Sequence, residues 1–291
     1  MTAAPTAPGA SGSPGRYPLE RETAVVPVEG GAFEGAFGTG WIGDRGPHGG
    51  FVAAVMLRAM REAVADPQRR PVFLTASYLE PPRAPAPYRV DVTVERQGRS
   101  VSVATARLVQ EARPVALATA TFSAARPRVE FRDPEMPDVP PPEECPPLDF
   151  GEIFGAWRRL PLNRRFEWRL AAGAPLAGGD RADTVGWARF VEPQPVDHLL
   201  GAVLADIWMP SVLARVREPV MAPTLQLSVW YCAPLPPPGA DGGGDFVLCR
   251  FYSPVAAGGF VEEDGEVWSR DGQLLLRSRQ LATLTAPLEG R

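Results

Sequence analysis

The sequence contains no lysine, only two histidines and only three cysteines, and these shortages exclude several classes of protein. The formal net charge is −4, so the chain lacks the basic surface that nucleic-acid binding normally requires. Cys145, Cys232 and Cys249 are odd in number and do not have the spacing of a zinc site. We therefore expect no nucleic-acid partner, no metal and no disulfide framework, and reduced thiols in a cytoplasmic protein.

Long apolar runs are also missing. No window reaches the ~18 consecutive apolar residues of a membrane span, and the first residues do not combine a basic segment with an apolar one. We predict no membrane span and no secretion signal. Residues 1–18, rich in Ala, Pro, Gly and Ser, are predicted to form a disordered tail.

Several catalytic fingerprints are absent as well. The sequence has no Gly-x-Ser-x-Gly elbow and no Cys–His pair in a recognisable context, so no nucleophile for acyl-enzyme chemistry is visible. There is no complete dinucleotide-binding or P-loop fingerprint, and no cofactor is predicted. Single-step attack by water fits the sequence better than acyl-enzyme chemistry.

Apolar residues make up 45% of the chain, which is enough for a large core. They are distributed over two similar halves. The stretch "DPEMPDVPPPEECPP" disfavours helix and central strand alike. It marks a Pro-rich linker at 131–160 between a first domain, 19–130, and a second domain, 161–286. Each half contains an apolar helical segment followed by segments of period-two alternation, which are typical of half-buried strands.

The two helical segments indicate an internal duplication. His48 to Leu57 aligns with Asp197 to Asp206 at a constant shift of 149 positions, the difference between the residue numbers. Both segments are apolar all round, which predicts helices enclosed by protein on every side. The sequence therefore predicts an α+β fold in which each half wraps an antiparallel sheet round one long central helix.

Asp206 breaks the second apolar segment, "HLLGAVLADIWMP", about two helical turns from its start. An ionised aspartate removed from water costs several kcal/mol unless hydrogen bonds or a partner charge compensate. Either this side of the helix faces a polar pocket, or Asp206 caps a local backbone group before Pro210. The first half has Leu57 at the matching position, so only one of the two duplicated sites carries a carboxylate.

Four motifs together resemble a known family. They are "HGGFVAAV", "LADIWMP", "TLQLSVW" and "RSRQLATL", in this order along the chain. The region from about 33 to 284 is similar to the double hotdog acyl-CoA thioesterases, in particular bacterial acyl-CoA thioesterase II and actinobacterial thioesterase-like proteins. The resemblance implies two tandem hotdog domains, a homo-oligomer, a role in lipid metabolism, and a catalytic Asp, hydroxyl and Gln that map onto Asp206, Thr224 and Gln280.

The residues themselves leave alternatives for these positions. Gln280 lies on the apolar face of a predicted strand with Leu276 and Ser278, where it is either part of a site or a satisfied core amide. Thr224 alternates in phase with Gln226, Ser228 and Trp230, and is either a site residue or a plain β-former. Ser228 is a substitute for the hydroxyl role.

The helix starts supply further candidates. Gly49 and Gly50 precede the first helix, where glycine lets a ligand approach the backbone and where free amides can polarise a carbonyl oxygen, although a simple entry turn also explains them. His48 and His198 stand beside the two helix starts. For both histidines a capping or packing role is favoured over catalysis.

The resulting hypothesis is an enzyme that hydrolyses an acyl-CoA or acyl-carrier thioester by direct attack of water. Asp206 would be the general base, and Thr224 and Gln280 would hold the water. Amides near Gly49, Gly50 or His198 would bind the oxyanion. The alternatives are a non-catalytic protein that binds acyl-CoA or an acyl carrier, and a hydratase or dehydratase on the same fold.

Overall fold

The computed structural model describes residues 16–124, 129–154, 160–237 and 243–286. Residues 1–15 of the predicted tail lie outside the described residues. Pro18, the last residue of that tail, begins helix α1, Pro18–Glu22. Leu19 of this helix is buried, and its N–H donates to the side chain of Gln194 at 3.0 Å, so α1 packs against the second half of the chain.

The first half contains one long helix among six strands. The strands are β1 Val26–Val28, β2 Ala32–Phe37, β3 Arg70–Tyr78, β4 Ala86–Gln97, β5 Val101–Gln110 and β6 Arg113–Ser123, and helix α2, Gly49–Val64, lies between β2 and β3. The β5–β6 turn is formed by Glu111 and Ala112, both at positive φ, as expected for a tight two-residue hairpin.

The second half repeats this order with a shorter helix. Helix α3, Phe150–Phe154, and the 3-10 helix Pro161–Arg164 come first, and α4, His198–Leu204, and the 3-10 helix Ser211–Ala214 follow later. The strands are β7 Phe166–Ala172, β8 Ala182–Phe190, β9 Thr224–Tyr231, β10 Val247–Ser253, β11 Ala256–Ala257, β12 Phe260–Trp268 and β13 Leu274–Thr283.

The strands of the described chain form one antiparallel sheet that runs through both halves. Its order is β1-β2-β4-β5-β6-β3-β9-β13-β12-β10-β8-β7, and β11 pairs with β12. The halves join where β3 pairs with β9, with Thr75 opposite Ser228. Neither central strand is therefore left as an open edge, and the two halves share a single sheet.

Helix α2 is enclosed as its apolar sequence predicts. It contacts β3, β4, β5 and β6 on one side and α4 on the other, and Phe51 to Leu57 are all buried. Among the described residues, no helix combines the length and the apolar character that crossing a membrane would require. The central helix of the second half is much shorter than predicted, because α4 ends at Leu204 and leaves Asp206 in the turn that follows.

Two tyrosines make the same contact in the two halves. Tyr78, at the end of β3, donates its hydroxyl to the Gly49 carbonyl at 2.8 Å. Tyr231, at the end of β9, donates to the His198 carbonyl at 2.9 Å. Each tyrosine thus holds the first turn of its own half's helix against its own half's central strand, as a duplicated domain predicts.

The Pro-rich segment is irregular in structure and packs on the second half. Met136, Val139 and Cys145 contact a small apolar cluster on the outer face of the sheet, formed by Val185, Trp187, Phe246, Leu248 and Trp268. The Trp187 indole N–H donates to the Pro140 carbonyl at 2.9 Å. The predicted linker therefore also covers an apolar surface that the second half would otherwise expose.

Candidate functional site

A cavity of about 370 Å³ opens beside the turn that follows α4. Its wall combines groups from both halves: His48, Gly49 and Tyr78 come from the first, and Asp206, Thr224 and Gln280 come from the second. The structure therefore brings together the three predicted catalytic side chains, and it adds to them the start of helix α2. The apolar part of the wall includes Leu162, Trp168, Trp208, Met209, Leu213 and Val261.

The carboxylate of Asp206 is held from the side of helix α2. Its Oδ2 accepts the N–H of Gly50 at 2.8 Å and lies 3.2 Å from His48 Nε2. The same His48 nitrogen is 2.9 Å from the Asp206 carbonyl oxygen. Because a backbone carbonyl only accepts, His48 Nε2 carries the hydrogen and donates it towards Asp206.

Burial raises the pKa of Asp206, since its side chain is only 9% exposed. Three neighbours act in the opposite direction and lower this pKa: the charge of His48, the Gly50 N–H and a hydrogen bond from the Gln280 side chain. A carboxylate with a raised pKa is a better proton acceptor than an exposed one, which suits it to general base catalysis near neutral pH.

Thr224 and Gln280 are joined directly. The Thr224 hydroxyl donates to Gln280 Oε1 at 2.7 Å, and Gln280 Nε2 contacts the Ala205 carbonyl at 3.4 Å. The threonine hydroxyl therefore fixes the orientation of the amide, so that the amide nitrogen points towards the turn that carries Asp206.

Thr224 reaches this position because of a β-bulge. In the pairing of β9 with β13, Ala282 faces Thr224 and Leu281 faces Gln226, so Leu225 is the extra residue. The predicted face of Thr224, shared with Gln226, Ser228 and Trp230, is wrong, because the bulge turns Thr224 to the inner side with Leu227. Gln280 lies on the inner face as predicted and is 6% exposed.

Ser228 does not take part in this site. It remains on the outer face of the sheet, where its hydroxyl is 3.2 Å from that of Thr75 on the paired strand. The structure therefore does not bring Ser228, the predicted substitute for the hydroxyl, to the cavity, because strand alternation points it away from Asp206.

The two glycines allow helix α2 to approach α4 closely. A Cβ on Gly50 would lie 2.9 Å from the carbonyl oxygens of Ala202 and Val203, and a Cβ on Gly49 would lie 2.8 Å from Asp206 Oδ2. Of the two amides predicted to bind an oxyanion, that of Gly50 is already bonded to Asp206. Tyr78 fixes the same helix turn, and burial, followed by the charge of Asp206, raises its pKa well above the ordinary value.

The same bulge is present in the first half, which identifies the counterparts of the site residues. There Pro71 faces Phe122 and Phe73 faces Thr121, so Pro71 matches Thr224. In the same strand register Ala120 matches Gln280. Leu57 matches Asp206 by the shift of 149 positions between the two helical segments. All three counterparts are apolar, so the duplicated position has no polar group in any of these places.

Of the two histidines, only His198 has a role expected from sequence, and one acidic residue of the cavity was missed. The capping or packing role favoured for His48 does not fit, because its ring makes no cap hydrogen bond and contacts Asp206. His198 does have the packing role, against Tyr231 with ring centroids 5.0 Å apart, and burial lowers its pKa to about 4. Glu263 was missed, although it lines the cavity and is only 7% exposed.

Glu263 leads to a prediction about stability. Burial raises the pKa of Glu263 from 4.5 to about 7, so between these values the folded protein keeps a proton that the unfolded chain releases. Stability therefore falls as the pH rises through this window and levels off above it. We expect Glu263→Gln, which has no such proton, to gain about 3 kcal/mol relative to wild type between pH 4.5 and pH 8, measured by urea unfolding. A stability difference that stays constant over this range would contradict the assignment.

The arrangement offers groups that can bind and activate a water molecule. It combines a carboxylate, an oriented amide, a hydroxyl and the start of a long helix in one cavity. Within the described ranges, no three His, Cys, Asp or Glu side chains are grouped so that they could hold a metal ion. All three cysteines are unpaired, and Cys145 and Cys249 are buried.

Comparison with family models gives two matches that lie in tandem. Residues 38–123 match the N-terminal domain of acyl-CoA thioesterases, and residues 142–284 match the C-terminal domain. Human acyl-coenzyme A thioesterase 8 is 36% identical over 232 residues, which are 68% of this chain and 67% of that protein. An uncharacterized protein of Mycobacterium tuberculosis is 29% identical over 280 residues, covering 87% of this chain and 91% of that protein.

Solved structures agree on the fold. A hot dog fold protein of unknown function from Alicyclobacillus acidocaldarius has a TM-score of 0.81 and 30% identity, covering 93% of this chain and 98% of that chain. Acyl-CoA thioesterase II TesB2 from Mycobacterium marinum has a TM-score of 0.71 and 22% identity, covering 94% and 99%. The predicted α+β double hotdog fold is confirmed.

Proposed function

Because the chain belongs to the acyl-CoA thioesterase family, we propose that it hydrolyses an acyl-CoA or acyl-carrier thioester by direct attack of water. The observation that carries this proposal is the convergence of Asp206, Thr224 and Gln280 on one cavity. The cavity has a polar wall where a water can be activated and an apolar wall where an acyl chain can be buried.

In the proposed reaction Asp206 takes a proton from a water held by Thr224 and Gln280. The water oxygen forms a bond to the thioester carbonyl carbon, and the carbonyl oxygen takes up the negative charge. When this intermediate collapses, the carbon–sulfur bond breaks and Asp206 returns the proton to the departing thiolate. The products are a carboxylic acid and a free thiol, and Asp206 is ionised again.

The start of helix α2 is the proposed site for the oxyanion. Since the Gly50 N–H is bonded to Asp206, the Gly49 N–H is the amide of this turn assigned to the substrate oxygen. The positive end of the 16-residue helix would favour the developing charge. A donor of this kind typically contributes ~3 kcal/mol to lowering the barrier.

The acyl chain is assigned to the apolar wall of the cavity. Trp208 follows Asp206 by two residues, and its ring centroid is 5.7 Å from that of Trp168. The Trp208 indole N–H donates to Thr184 at 3.1 Å, which fixes the ring at the edge of the cavity. These rigid rings would limit how far a chain can enter beyond the thioester.

The test of the proposed function is a panel of acyl-CoA thioesters of increasing chain length, mixed with the protein and a reagent that reports free thiol. Thiol release that saturates with substrate and is lost in Asp206→Asn supports hydrolysis. Binding of acyl-CoA without thiol release would instead favour the non-catalytic alternative. A change in enoyl absorbance without thiol release would favour the hydratase alternative.

The contact between Thr224 and Gln280 leads to a second kinetic prediction. We expect Thr224→Val and Gln280→Leu each to lower kcat by about 10- to 100-fold, because each loses part of the support for the water. Since Thr224 orients Gln280, the double variant should be little worse than the more severe single variant. Steady-state kinetics of the three variants measure this coupling, and fully additive losses would show that the two side chains act separately.

The proposal includes a cytoplasmic location, a role in lipid metabolism and a homo-oligomeric state. Three free cysteines are suited to a reducing compartment. The outer face at the junction of β3 and β9 carries Phe73 and Trp230 with ring centroids 5.1 Å apart, and Trp230 is 45% exposed. Light scattering combined with size-exclusion chromatography, repeated on Trp230→Ser, tests whether this face joins copies of the chain.

A further inference from the structure

Glu263 is a buried acid beside the proposed catalytic centre for which the reaction above has no use. It lies on the inner face of β12, directly opposite Gln280 on β13. Its Oε2 accepts two hydrogen bonds from Ser211, one from the backbone N–H at 2.5 Å and one from the hydroxyl at 2.6 Å. The Ser211 hydroxyl is also 2.8 Å from that of Ser253 on β10.

These contacts place Glu263 at one end of the turn that carries Asp206. The turn runs from Ala205 to Pro210, and Ser211 comes directly after it. The other end is held by Gln280, whose amide nitrogen contacts the Ala205 carbonyl at 3.4 Å. Two side chains that face each other across β12 and β13 therefore clamp the two ends of the same turn.

The middle of the turn has its own contact. His48 donates to the carbonyl oxygen of Asp206 and lies beside its carboxylate. The turn has little backbone bonding of its own: Asp206 N–H donates to the Val203 carbonyl at 3.1 Å and Ile207 N–H to the Leu204 carbonyl at 3.5 Å, both 3-10-type bonds at the start of the turn. The position of the carboxylate thus depends on contacts made by neighbouring elements.

We propose that Glu263 is a positioning residue for the reaction: by binding Ser211 it fixes the turn from Ala205 to Pro210 and keeps the Asp206 carboxylate against Gly50 and His48. The expected effect on kcat rests on the proposed function. The expected effect on the position of the turn does not depend on that function. The two bonds to Ser211 require an acceptor at position 263, and a glutamine carbonyl can supply one.

The experiment compares Glu263→Gln, which keeps an acceptor, with Glu263→Leu, which does not. Glu266→Gln is the matched control, because Glu266 is a buried acid on the same strand that pairs with Arg277 on the outer face. The first readout is kcat and KM with the best acyl-CoA of the panel. The second is the proton NMR resonance of the His48 ring, which His48→Gln assigns because the chain contains only two histidines.

We expect Glu263→Leu to lower kcat by about tenfold or more, with KM changed less than about threefold, and to shift the His48 resonance. Glu263→Gln should keep kcat within about threefold and leave the His48 resonance in place, and Glu266→Gln should behave as wild type. If Glu263→Leu does not fold, Ser211→Ala, which removes one of the two bonds, is expected to show a smaller change of the same kind.

Two results would overturn the positioning role. One is a folded Glu263→Leu, with the His198 resonance unchanged, that keeps both wild-type kcat and the wild-type His48 resonance. The other is a Glu263→Gln that loses as much activity as Glu263→Leu, since a charge rather than an acceptor would then be required. If wild type releases no thiol from any substrate, the proposed function fails, and the His48 resonance alone decides the role of Glu263.

Discussion

Replacing Asp206 by Asn is expected to lower kcat for thioester hydrolysis by about 10³-fold while KM changes little. The amide cannot take a proton from water, and general base catalysis of this kind contributes typically 10² to 10⁴-fold. Asn can still accept the Gly50 N–H that now binds Asp206 Oδ2 at 2.8 Å, so the helix contact is retained. The measurement is steady-state release of thiol, followed by single-turnover kinetics to isolate the chemical step.

The stability of the same variant provides the control. Burial raises the pKa of Asp206, so ionising it above pH 4 opposes folding, and the Asn variant lacks that term. We expect Asp206→Asn to be at least as stable as wild type at pH 8, with the difference shrinking towards pH 4. Full activity in a variant confirmed by mass spectrometry would remove Asp206 from the mechanism, and a loss of folding at pH 8 would mean that the carboxylate is structural.

The second large effect is expected from Gly50→Ala. The added Cβ would lie 2.9 Å from the carbonyl oxygens of Ala202 and Val203, and both are backbone atoms that cannot rotate away. Helices α2 and α4 would have to separate, with an expected loss of about 1–3 kcal/mol in the free energy of unfolding. The Gly50 N–H would move away from Asp206, and a misplacement of this size can lower kcat/KM by about 10²-fold.

Gly38→Ala is the matched control for this substitution, because a Cβ at Gly38 meets no atom within 4 Å. Chemical unfolding and kcat/KM are compared for the two variants. Gly38→Ala should match wild type in activity. If Gly50→Ala also kept both wild-type stability and wild-type activity, the close approach of α2 to α4 would have no role in holding Asp206.

The sequence predicted the duplicated fold because its signals are periodic and local. Apolar residues on all sides of Phe51 to Leu57 indicated an enclosed helix, and the strands of both halves alternated with period two. The position of Asp206 was predicted less well. Ala205 and Ile207 continue the apolar pattern, so nothing in the composition marks the end of α4 at Leu204. Gln280, which contacts the Ala205 carbonyl just after the helix end, is 75 positions away in sequence.

Two parts of the site depend on long-range pairing that composition does not reveal. The bulge at Leu225 reverses the face of Thr224, and it forms only when β9 pairs with β13. Glu263 belongs to the acidic run "VEEDGEVW", which is typical of an exposed strand. Its inward direction follows from the register with Gln280. Contacts between the halves, such as His48 with Asp206, are equally invisible, because the two residues are 158 positions apart.

The pairing of β3 with β9 in the middle of the sheet has a consequence for the two halves of the chain. Cutting the chain between residues 124 and 129 would expose one strand edge on each fragment. Each fragment could cover its exposed edge by pairing with a second copy of itself. A dimer of the first fragment would contain two copies of His48 and no Asp206. A dimer of the second fragment would contain two copies of Asp206 and no His48. Because the two halves are joined in one polypeptide, they can differ, so that one centre carries Asp206, Thr224 and Gln280 while the matching place in the other half carries Leu57, Pro71 and Ala120.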